Sequence, residues 1–145
     1  MKHLVFTLVL LLSVQFSALA DNDKPIRFEE LPDKAKTFIT TYFSDVEIAL
    51  TKKESDFFGK SYEVIFVNGN KVEFDRGGDW TDVNCKFTEV PQGIVPQPIV
   101  NYVRNNYGEV RIVSIDKDKR DYEVELSSGI ELTFDKKFNL IDIDY

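Results

Sequence analysis

The sequence has one histidine and one cysteine in 145 residues. The histidine is His3, inside a short basic start, Met1-Lys2-His3. Leu4 to Leu12 is almost wholly apolar, and Ala18-Leu19-Ala20 is a small-x-small cleavage pattern. Together these read as a secretory signal peptide over residues 1–20, with the mature chain starting near Asp21. The mature chain then carries no histidine, the side chain that titrates near neutrality without perturbation. Ser-His, Cys-His and His-metal arrangements are therefore excluded. A single cysteine, Cys85, cannot form an intrachain disulfide in an oxidising compartment. It reads as a buried small hydrophobe, with pairing between chains as the alternative. No cysteine follows the cleavage pattern, which argues against a lipid anchor. Long apolar runs are missing too. The leader is shorter than the ~20 residues of a membrane span, and no later run is long enough. The expectation is an exported protein, periplasmic or extracellular, with no membrane insertion after cleavage.

Positive charge is scarce. Without the leader, 17 basic residues stand against 25 acidic ones, a formal charge of −8. Such a chain has no electrostatic footprint for nucleic acid or anionic lipid. Solubility accounts for the charge; an acidic face for a basic partner is the sharper alternative. A Gly-rich phosphate loop is absent, and no cofactor is implied. The remaining 125 residues suit one domain, 21–145.

What is present is a pattern that occurs twice. Tyr62-Glu63-Val64-Ile65-Phe66-Val67-Asn68-Gly69-Asn70-Lys71-Val72-Glu73-Phe74-Asp75 reads as strand, turn and strand. Asn68-Gly69 suits a tight hairpin turn. Tyr62, Val64, Phe66, Val72 and Phe74 share one face by alternation. Tyr122 to Asp135 matches this stretch 60 positions on, without a gap. A helix precedes each hairpin. Leu31, Ala35, Phe38, Ile39 and Tyr42 form one apolar stripe, as do Val95, Ile99, Tyr102 and Val103. Asp21 to Arg27 reads as a flexible lead-in. Val46 to Leu50 and Val110 to Ile115 read as strands, followed by charged turns at Lys52 to Gly59 and Asp116 to Asp121. Strands beginning at Trp80 and Phe138 close the units. The fold class is α+β: two tandem helix-plus-four-strand repeats, about 28–85 and 87–145, forming one antiparallel sheet with helices on one face. The helix offset is 64 and the hairpin offset 60, so the first unit has four extra residues in the turn holding Phe57 and Phe58.

Tyr62-Glu63-Val64, Phe74-Asp75 and Gly78-Asp79-Trp80, with Tyr122-Glu123-Val124, Gly129 and Phe134-Asp135, resemble the PepSY-like, beta-lactamase-inhibitor-like family of small exported bacterial proteins. Val90 to Pro96 resembles that family's inter-repeat segment. The resemblance implies one eight-stranded antiparallel sheet with a concave, open face. It also implies a protein partner, because the inhibitor that lends the family its name binds an enzyme through that face and its turns. The second unit departs from the pattern: Phe138 and Leu140 stand where Gly78 and Trp80 stand in the first.

Carboxylates are the only plentiful reactive groups. Asp75, Asp79 and Asp82 crowd one turn; Asp116, Asp118 and Asp121 crowd another. Either could offer oxygens to Ca²⁺, but neither has EF-hand spacing, and solvated turn residues are the simpler reading. Nothing places a carboxylate pair across a cleft for sugar hydrolysis. Phe57, Phe58 and Trp80 are the candidate binding residues. An exposed aromatic on a protruding turn can anchor in a partner's pocket; packing of both Phe rings against the protein is the alternative. Trp80 shares parity with Asp82 and reads as core. The function expected is a non-catalytic exported module that binds a protein or peptide through its open face and turns. Inhibition of an exported hydrolase comes next, and a Ca²⁺-binding or carboxylate-based enzyme last. Hydrophobic docking on the open face requires a contiguous aromatic patch there; a charged face excludes it.

Overall fold

The computed structural model describes residues 23–145, so the expected signal peptide lies outside the described residues. Nine strands form one antiparallel sheet in sequence order. β1 is Lys24–Pro25; α1 is Asp33–Tyr42; β2, β3, β4 and β5 are Ile48–Asp56, Gly59–Phe66, Lys71–Phe74 and Trp80–Asn84. α2 is Gln97–Tyr107, followed by β6, β7, β8 and β9 at Ile112–Lys117, Asp121–Leu126, Glu131–Asp135 and Leu140–Asp144. Each helix is thus followed by four strands.

Both apolar helix stripes meet one sheet face. Leu31, Ala35, Ile39, Ile99 and Val103 share a single buried cluster with Val64, Val72, Phe74, Val124, Leu132 and Phe134. Phe43 stacks on Phe66, with ring centroids 4.8 Å apart, and Tyr102 meets Phe134 edge-on at 5.3 Å. Burial of these rings and aliphatic chains is the main driving force for the fold. Gly108 caps α2 with φ 71°. The same cross-strand register appears at both hairpins: Tyr62 faces Phe74 and Val64 faces Val72, while Tyr122 faces Phe134 and Val124 faces Leu132.

Three expectations are corrected. The sheet has nine strands rather than eight. The lead-in is not free: Lys24 and Pro25 pair with Lys53 and Lys52, and the Ile26 N–H donates to the Thr51 carbonyl at 2.9 Å. Most of the charged turn from Lys52 to Gly59 is strand. β2 runs on to Asp56, β3 starts at Gly59, and only Phe57-Phe58 turns. Charge did not prevent strand formation because, beyond the Lys53 pair with β1, no further strand lies beside this ribbon.

Candidate functional site

The sheet face away from the helices carries a ladder of acids. Cross-strand pairing sets Lys52 against Glu63, Glu63 against Glu73, and Glu73 against Asp82. Asp82 then faces Asp116, Asp116 faces Glu123, Glu123 faces Thr133, and Thr133 faces Asp142. Five carboxylates therefore stand side by side on β3 to β7. Directly opposed residues of antiparallel strands have Cβ atoms about 4.5–5.5 Å apart, and like charges there are destabilising.

The ladder is neutralised unevenly. Lys52 and Lys71 flank Glu63, at 3.4 and 3.7 Å, and Glu63 is only 6% exposed beneath them. Lys52 also reaches Asp23 at 2.9 Å, and that bond, with Glu63, raises its pKa. Farther along the row lysines thin out: Lys71 reaches Glu73 at 3.8 Å, and among the described residues no ion pair reaches Asp82, Asp116 or Glu123. Burial, a bond with Glu63 and the charge of Asp82 push Glu73 up to about 7, although Lys71 opposes this. Burial and the charges of Glu123, Asp82, Asp121 and Asp118 push Asp116 up to about 6. Asp82 and Glu123 are raised too, chiefly by burial. In the neighbouring row Lys86 reaches Glu125 at 3.0 Å. These carboxyls can hold protons or accept bonds from an incoming cation.

The sequence did not assemble this row. Asp82 and Asp116 were grouped with turn aspartates and instead meet each other mid-sheet. The turn aspartates proper are occupied by backbone: Asp75 Oδ1 accepts the N–H groups of Gly77 and Asp79 at 2.9 and 3.0 Å. Asp118 Oδ1 accepts those of Arg120 and Asp121 at 2.6 and 3.0 Å, and these bonds hold its carboxyl below the usual range. Asp79 is paired with Lys34, which lowers its pKa. Among the described residues, no group of three or more acids, cysteines or histidines is arranged to hold a metal.

The candidate aromatics separate. Phe57 and Phe58 occupy the two-residue tip between β2 and β3, 98% and 94% exposed, with rings 5.8 Å apart. The Phe58 N–H donates to Asp56 Oδ1 at 2.8 Å, and Gly59 supplies a φ of 131° that closes the turn. Beyond the strand pairs that β1 and β4 make, the last three pairs of β2 and β3 stand as a two-stranded ribbon. Trp80 lies elsewhere, paired with Phe74 two strands from β3 and 6.3 Å from Phe38, with Lys117 Nζ 4.0 Å over its ring. It does not share parity with Asp82. A β-bulge between their pairs turns Trp80 toward the helices and Asp82 toward the open face. Cys85 is buried and free, and burial with Asp82 pushes its thiol up to about 12, which suits an inert role. Among the described residues the open face holds a charged row and no aromatic patch, so the hydrophobic version of face docking is dropped.

The family model described as "Putative beta-lactamase-inhibitor-like, PepSY-like" matches residues 60–142. The chain belongs to the PepSY-like family. A solved "putative calcium-regulated periplasmic protein" of Bacteroides thetaiotaomicron is 56% identical to this PepSY-like chain, with a TM-score of 0.85 over 87% of this chain and 99% of that one. A "putative periplasmic protein" of the DUF2874 family from Bacteroides vulgatus is 53% identical, with a TM-score of 0.84 over the same shares. A second Bacteroides vulgatus "putative periplasmic protein of unknown function" is 32% identical, with a TM-score of 0.80 over 85% of this chain and 99% of that one. Among curated proteins, none matches. The periplasmic description of the relatives agrees with export. No helix among the described residues is long and apolar enough to cross a membrane.

Proposed function

We propose that this PepSY-like protein is a non-catalytic periplasmic binding module whose open face docks on a cationic protein surface or peptide. The observation that carries the reading is the ladder, with five adjacent carboxylates and lysines only at one end. Sheets usually separate like charges across strands. A face that gathers them gains on meeting lysine or arginine, which would replace shared protons with ion pairs. The Phe57-Phe58 tip would add an apolar anchor beside that contact, at the projecting end of the β2–β3 ribbon. We also read the chain as a duplicated helix-plus-four-strand unit in one domain, 21–145, because register and β-bulges recur at equivalent positions. A capture from the periplasmic fraction tests the docking. Wild type should retain basic proteins in low salt, Asp82→Asn/Asp116→Asn/Glu123→Gln should lose them, and Phe57→Ser/Phe58→Ser should weaken retention. Equal capture by all three would remove both contacts.

Two narrower readings have support of their own. The family description and the projecting tip favour an inhibitor of an exported hydrolase; undiminished β-lactamase turnover at saturating protein would exclude that enzyme as target. The Bacteroides thetaiotaomicron relative favours regulation by Ca²⁺. Among the described residues no three acids are grouped to hold a metal, and backbone N–H groups take Oδ1 of Asp75, Asp118 and Asp135. Calorimetry with Ca²⁺ decides this, and absence of heat at millimolar metal ends it.

A further inference from the structure

A concavity lies in the helix layer, away from the ladder. It is a cavity of about 740 Å³ between the linking segment 89–97, α2 and the approach to β6. That volume is in the range of small-ligand sites, roughly 300–1,000 Å³. Two bonds tie the linking segment to the approach to β6. The Val90 N–H donates to the Ile112 carbonyl at 2.9 Å, and Arg111 Nη1 donates to the Thr88 carbonyl at 3.1 Å. Val95, Val100 and Val103 give it an apolar lining. Its polar lining carries both charge signs: Arg104 and Arg111 against Glu89 and Glu109. Despite that proximity, none of these four is in an ion pair among the described residues. Two of the five arginines of this acidic chain line this one cavity.

From this lining we infer that the cavity binds a short apolar peptide with free ends. Apolar side chains would rest on the valines. Arg104, exposed at the last turn of α2, would take the terminal carboxylate, and a glutamate of the lining would take the terminal ammonium. Guanidinium suits a carboxylate because it donates two parallel N–H groups. A lining with both charge signs can pair each end of a zwitterion with an opposite charge. Partner docking on the open face is independent of this site, so the two readings fail separately.

The test is calorimetric titration of the whole exported chain with trileucine, beside trileucine capped at both ends. Free trileucine should give saturable heat. Arg104→Ala should weaken it about tenfold, the ~1.4 kcal/mol of a lost charge-assisted contact. Capping both ends should weaken binding at least as much in wild type and make Arg104→Ala indifferent. Val100→Trp, which puts a large ring into the apolar wall, should weaken the heat; its fold is checked by melting temperature. Arg104→Ala alone suffices if that variant does not fold, since Arg104 is exposed. No saturable heat at millimolar peptide overturns the inference. So does binding that neither capping nor Arg104→Ala weakens.

Discussion

The two halves of the sheet share their apolar face and differ on the other. Positions 60 apart, Phe74 and Phe134, are both fully buried, and both face a tyrosine across the strand pair. On the open face the halves part. Glu63 lies under Lys52 and Lys71. Its counterpart Glu123 meets Asp116 where the first half has Lys52, and Glu131 stands at the position matching Lys71. A packed interior tolerates few changes of volume, and matching positions of the apolar face are apolar in both halves, Phe66 with Leu126 and Val72 with Leu132. The open face has no such constraint, and its charges differ between the halves. The turns show the same freedom. Gly78 has φ 89°, and a Cβ there would meet the Pro32 Cβ at 2.8 Å. Phe138 takes a φ of 65° at the matching place and stacks on Tyr122 at 5.7 Å.

The largest effect should be the one the halves share. Phe74→Ala and Phe134→Ala should each cost about 3–5 kcal/mol in urea unfolding. A difference of more than about 2 kcal/mol between them would mean that the cores are not equivalent. Charge should separate the halves next. Lys52→Ala strips a cation from nearly buried Glu63 and should cost about 2 kcal/mol, below the full 3–5 of a broken buried pair because Lys71 remains. Asp116→Lys puts a cation at the matching position and should instead stabilise, by about 1 kcal/mol. Destabilisation by both would break the account of uneven neutralisation.

A smaller effect should appear with pH. Glu73 and Asp116 have folded pKa values of about 7 and about 6, above the ~4.3 and ~3.9 of unfolded chains. The folded protein therefore binds more protons than the unfolded chain between those limits, and stability falls as pH rises through them. From pH 8 down to about 5, the unfolding free energy should rise by roughly 1 kcal/mol, a figure discounted because these groups are partly solvated. Below that, Asp79, Asp118 and Asp135, held low by Lys34 or by N–H groups, work the other way. Glu73→Gln/Asp116→Asn should flatten the upper part of the curve. A wild-type curve that falls steadily from pH 8 to 5 would contradict it.

The apolar half of this comparison was legible in the sequence. Alternation assigned Tyr62, Val64, Phe66, Val72 and Phe74 to one face, and helical spacing found Leu31, Ala35 and Ile39. Both signals are local periods that a chain carries by itself. The ladder was not legible because its members, Glu63, Glu73, Asp82, Asp116 and Glu123, lie on five strands and meet only through register. Alternation places Glu63 and Glu73 outward, but gives Asp82 the parity of Trp80 and leaves Asp116 in a charged turn. One extra residue at the bulge before Asp82 inverted the parity drawn from Trp80. The length of the β2–β3 ribbon was missed because Lys52 to Asp56 is charged, and turn chemistry was read from charge rather than from Gly59.

The central claim is that the ladder beyond Glu63 is short of cations and holds protons instead. Carbon-13 NMR titration of the side-chain carboxyls measures this residue by residue. Glu73 should titrate near 7 and Asp116 near 6; midpoints near 4 for both, the ordinary carboxyl value, would contradict the account.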